Sequence, residues 1–92
     1  MYADKETKEF IRNTAEAVAA DLSEEDRKAL LADPEYAHHH FGLGLFIRNR
    51  YIYKHKEIMR TSIHPDELSN EVFDQVMEIV KESREESEDI PR

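Results

Sequence analysis

Two stretches of this chain hold the residue types that could do chemistry. The first, His40 to Asn49, reads HFGLGLFIRN and sets a guanidinium, an amide and two glycines inside an otherwise apolar segment. The second, His64-Pro65-Asp66-Glu67-Leu68-Ser69, is an acidic helix start. A guanidinium buried among apolar groups must be paired, and Asp66 or Glu67 is the partner the sequence offers Arg48. Asn49 carries both donor and acceptor and can bridge the same turn, and Ser69 adds a further polar group there. The pattern predicts a polar clasp of Arg48, Asn49, Asp66, Glu67 and Ser69 that locks the last helix onto the middle of the chain. The alternative chemistry is an anion pocket, formed by Arg48, His64 and the free amides of the last helix's first turn.

Other chemistries find less support. His38, His39 and His40, with His64 further on, raise the question of a metal. Consecutive helical residues splay apart around the axis, so three in a row cannot converge on one ion. The paired spacing of helical zinc ligands is missing as well. No metal and no cofactor is expected; the histidines mix packing with exposure. The chain has no cysteine, which removes disulfides and thiolate nucleophiles. It has no Gly-rich phosphate loop and no nucleophile in a recognisable setting. His40, His64, Asp66 and Ser69 are acid–base types, but any small protein carries such a set. The expectation is a non-enzymatic protein with no catalytic residue.

Charge points toward binding instead. The net charge of −8 opposes general nucleic-acid binding, where neutralising phosphates supplies most of the affinity. The distribution is uneven. Between Arg48 and Arg60 stand Arg48, Arg50, Lys54, Lys56 and Arg60 against a single acid, Glu57, while the rest of the chain carries eight Lys or Arg against twenty Asp or Glu. Tyr51, Tyr53, Lys54, His55 and Lys56 interleave aromatic and basic groups as a nucleic-acid surface would, but they do so on an acidic body. Tyr and Arg are favoured interface anchors, so a protein partner is the more natural reading. Arg50, Tyr53, Lys54, Lys56, Arg60 and His64 are the expected contact surface. The partner is another protein or a second copy, whose acidic faces would meet the basic island; a small anionic ligand is the alternative.

Helices must position these groups. Apolar residues recur at three- and four-residue steps almost throughout, and β-branched runs are absent. A first helix is predicted over about Asp4 to Ala20, with Phe10, Ile11, Ala15, Val18 and Leu22 as its stripe. Ser23 caps a short second helix, Glu24 to Ala32, whose first acids suit the positive end of the helix dipole. Asp33-Pro34 opens a third helix running to Tyr53. Apolar nearly all round, this helix is expected at the centre of the fold. Gly42 and Gly44 are costly inside it unless a neighbouring backbone passes close or the helix kinks. Ile58 and Met59 are expected to point inward. A last helix from Pro65 carries Leu68, Val72, Phe73, Val76, Met77, Ile79 and Val80 to about Ser83. The expected fold is all-α: a compact bundle of four to five helices around a central Pro34–Tyr53 helix. Residues 1–83 form a single domain and 84–92 a charged, disordered tail.

The chain's hydrophobic content of 39% allows one modest core. It contains no apolar run of membrane-spanning length. Residues Met1 to Phe10 are charged and lack the apolar core of a signal peptide, so a cytoplasmic protein is expected.

In His40–Leu45, Ile47–Asn49, His64–Asp66 and Ser69 the chain resembles a family of uncharacterised small bacterial proteins, a domain of unknown function with the pattern HFGLGxxIRN…HPDxxS. Tyr51 and Tyr53 stand where other members often carry tryptophan. The resemblance spans about Tyr36 to Val80. It implies an all-helical bacterial or phage-borne protein and, by analogy with other small acidic proteins, an antitoxin, immunity protein or inhibitor.

Overall fold

The computed structural model describes residues 5–59 and 63–89, and among them every regular element is helical. Helix α1 covers Lys5–Asp21 and α2 covers Glu24–Ala32. A helical run over 36–52 follows. It comprises α3 (Tyr36–His39), a π-helical turn (His40–Gly44), α4 (Leu45–Ile47) and a second π-helical turn (Arg48–Ile52). The single turn α5 spans Lys56–Met59, and the long α6 spans Pro65–Asp89. No described helix is long and apolar enough to cross a membrane.

Local sequence explains most boundaries. Ser23 Oγ accepts from the Asp26 amide at 3.1 Å and the Asp26 carboxylate accepts from the Ser23 amide at 3.5 Å, a reciprocal cap that starts α2. The second π turn closes through the Tyr53 N–H, which donates to the Arg48 carbonyl five residues back at 2.9 Å. His64 Nδ1 accepts from the Asp66 amide at 3.0 Å, satisfying one of the free N–H groups at the start of α6. The third helical run begins at Tyr36, two residues beyond the expected start. Asp33 and Pro34 form the preceding connection, and the Asp33 carboxylate pairs with the His38 ring and also accepts from the Glu35 backbone amide.

The element in the middle is α6. Its Leu68, Val72, Phe73, Val76, Met77 and Val80 are buried, and they meet Ile11, Ala15 and Val18 of α1, Leu30 of α2, and Ile47 and Ile52 of the run 36–52. Arg12 joins α1 to α6 through a 2.9 Å bond to Gln75. The run 36–52 was expected to be wrapped on all sides. It is instead one-sided: Gly44, Ile47, Arg48 and Ile52 face inward, while Leu45, Phe46 and Tyr53 are exposed by 39%, 42% and 48%. Its apolar residues outnumber what a neighbour covers. Met59, expected inward, is also exposed, whereas its neighbour Ile58 enters the core. At the C-terminal end, α6 continues to Asp89 instead of fraying near Ser83. Lys81, Glu82, Arg84, Glu85 and Glu86 are charged yet strong helix formers, so charge alone does not end a helix. Residues 90–92 lie outside the described ones.

Candidate functional site

The expected clasp is where the helical run and α6 meet, and its membership differs from the sequence reading. Arg48 is 4% exposed. Its Nη1 donates to the Tyr36 hydroxyl at 3.0 Å and to Ser69 Oγ at 3.1 Å, and stands 3.5 Å from Asp66 Oδ1. Ser69 Oγ donates in turn to the Asp66 carbonyl at 2.9 Å. With its one proton so placed, Ser69 can only accept from Tyr36, which lies 2.5 Å away. Each hydroxyl therefore donates once and accepts from the guanidinium, and no described buried side-chain polar atom is left without a partner.

Tyr36 is the member that sequence reasoning missed. It reads as core, and its ring does pack edge-on against Phe73 at 5.4 Å. Its hydroxyl reaches the clasp because Gly44 leaves room: a Cβ there would sit 2.8 Å from the Tyr36 oxygen. Close approach thus explains Gly44, although the close neighbour is a side chain of the same run rather than another backbone. At Gly42 a Cβ would meet nothing within 4 Å, so close packing does not explain that residue. Asn49 is exposed and its side chain makes no hydrogen bond to another described residue. It follows Arg48 by one step, which turns it outward. Glu67 is exposed, and the carboxylate set on Arg48 is that of Asp66. The anion pocket drawn on Arg48 and His64 loses its cation, because the buried guanidinium is held by internal acceptors while the His64 side chain stands 70% exposed.

The outward face of 45–56 has a different character. Leu45, Phe46, Asn49, Arg50, Tyr53 and Lys54 recur at helical spacing on the side away from the core, and Lys56 follows after the break at His55. Arg50, Lys54 and Lys56 are exposed and form no ion pair with another described residue. The Phe46 ring meets Tyr51 edge-on at 6.2 Å, which fixes one aromatic at the surface. Leu45 and Phe46 join this face although their types suggested burial. Their four-residue offset from Asn49, Arg50, Tyr53 and Lys54 is the signal that could have placed them. Arg60 lies outside the described residues.

Two further groups carry perturbed acidities. His38 Nδ1 lies 2.9 Å from the Asp33 carboxylate. That hydrogen bond raises the imidazole above its ordinary value and holds the Asp33 carboxyl below the usual range. On α6, burial pushes the Glu71 and Asp74 carboxyls up, reinforced by the neighbouring acids Asp74 and Glu67 for the first and Glu78 for the second. Among the described residues no three His, Asp or Glu side chains group as a metal site. His39 instead stacks on Phe73 at 5.4 Å, its Nε2 bonded to the Asp33 carbonyl at 2.6 Å.

No family model matches the chain, and comparisons with curated proteins and with solved structures return no match. The functional reading rests on the geometry of the chain itself.

Proposed function

We propose that this protein is a non-enzymatic protein-binding module whose contact surface is the outward face of 45–56. One observation carries the reading. The four exposed large hydrophobics among the described residues, Leu45, Phe46, Tyr53 and Met59, all fall within 45–59. They are interleaved there with cations that have no described acid to answer them. Scattered exposed apolar residues need no explanation, but a group sharing one segment with aromatic and basic side chains has the make-up of an interface centre. The clasp beneath, anchored on Arg48, holds this segment against α6 so that it is presented as a rigid ridge. The partner surface complementary to it is acidic. A small domain that covers an acidic patch of a larger protein works as an inhibitor, antitoxin or immunity-type regulator does.

The test is charge reversal at Lys54 and Lys56, with partner capture from the native host as the readout. Both side chains are exposed, so folding should be preserved by circular dichroism. Capture should fall at least tenfold, each lost tenfold corresponding to about 1.4 kcal/mol. Capture unchanged by the double reversal rejects the surface. The anionic-ligand alternative has no observation in its favour. A panel of nucleotides and phosphates that raises the melting temperature would nevertheless revive it, since a ligand of the native state alone stabilises that state.

A further inference from the structure

The outer side of α6 carries an acidic ridge opposite to the core. Glu67, Glu71, Asp74 and Glu78 recur at steps of four, three and four, which places them on one line of the helix. Leu68, Val72, Phe73 and Val76 occupy the inner side. Glu71, Asp74 and Glu78 form no ion pair with another described residue. Burial and the like charges of neighbouring acids push the Glu71 and Asp74 carboxyls up. One molecule therefore displays two ridges of opposite sign, and Arg50, Lys54 and Lys56 on one and Glu71, Asp74 and Glu78 on the other form no ion pair with another described residue. Each ridge carries like charges four residues apart, Arg50 and Lys54 on one and Asp74 and Glu78 on the other.

Resting on the proposed binding role of 45–56, we infer that the acidic surface this face takes is the α6 ridge of a second copy of the chain. Arg50 and Lys54 of one copy meet Asp74 and Glu78 of the other, Lys56 faces Glu71, and the Tyr53 hydroxyl is a further donor to the carboxylates. A twofold pair makes the contact twice, and a head-to-tail arrangement makes it once per joint. Opposite ridges also steer the encounter, so association is fast and falls steeply with salt.

Sedimentation of the full chain tests this. At about 10 mM salt, mass should rise at least twofold over the monomer as protein concentration is raised toward about 1 mM, where even weak contacts fill. At about 1 M salt, where the screening length drops from about 30 Å to about 3 Å, the monomer should return. Two variants, Lys54→Glu with Lys56→Glu and Asp74→Lys with Glu78→Lys, should each be monomeric alone at low salt. Mixed, they should associate, because each then offers the ridge the other lacks. Circular dichroism verifies that both fold; if the α6 variant does not, Asp74→Asn with Glu78→Gln takes its place and should also be monomeric. A wild type that stays monomeric at low salt overturns the inference, as does a mixture that fails to associate. In either case, loss of host-partner capture by the Lys54 and Lys56 reversal would still uphold the binding face, so the two ideas fail separately.

Discussion

Replacing Arg48 by Met tests the account of what holds the run 36–52 to α6. To described residues, the guanidinium makes bonds of 3.0 and 3.1 Å to hydroxyl oxygens and a looser contact of 3.5 Å to Asp66. Hydrogen bonds to a charged group contribute about 1.5–3 kcal/mol each in net terms. Met fills similar space and avoids the desolvation of a charge, which offsets part of that loss. The groups left behind are well provided for: Tyr36 still donates to Ser69, and Asp66, whose side chain is 51% exposed, keeps access to water. The expected cost is about 2–3 kcal/mol, which for a domain of this size is a fall of about 10–20 °C in Tm. Urea unfolding followed by circular dichroism measures it. A double-mutant cycle locates it: Arg48→Met with Ser69→Ala should couple by about 1–2 kcal/mol, since both are buried and share one network. Arg48→Met with Asp66→Asn should couple by less than about 1 kcal/mol, as half-exposed ion pairs do. A loss below about 1 kcal/mol for Arg48→Met, or stronger coupling to Asp66 than to Ser69, would refute the view that hydroxyls, not the carboxylate, satisfy this buried charge.

The two glycines should answer oppositely. Gly42→Ala meets nothing within 4 Å and should stabilise by up to about 1 kcal/mol through helix propensity, whereas Gly44→Ala pushes on Tyr36 and should cost about 1–3 kcal/mol; equal effects in thermal melts would contradict the packing at Gly44. The His38–Asp33 pair should make stability depend on pH. The imidazole's contribution is complete below its ordinary 6.5 and fades as pH rises through its raised value, while that of Asp33 is complete above 3.8 and fades as pH falls through its lowered value. The Tm difference between the wild type and His38→Gln should accordingly be largest between pH 3.8 and 6.5 and shrink above. A difference that grows toward pH 8 contradicts the pairing.

The helical character, the α2 cap and the stripes of α1 and α6 were legible along the chain, because each depends on residues three or four apart. The need for a partner at Arg48 was legible too: a guanidinium flanked by Ile47 and Ile52 on an apolar helix has no cheap alternative. Asp66 followed because Pro65 fixes where the last helix starts and so which carboxylates stand at its opening turn. Three things were settled only by packing. A 92-residue chain buries a limited area, so not every apolar residue of 36–52 could be covered, and the long, evenly striped α6 took the centre. Tyr36 entered the clasp from twelve residues away because Gly44 opened a path for its ring, a coincidence of two side chains that no local spacing encodes. Asn49 and Arg48 are neighbours in sequence yet were sent to opposite environments, since one step along a helix turns a side chain through about 100° and only the position of α6 decided which of the two faced in.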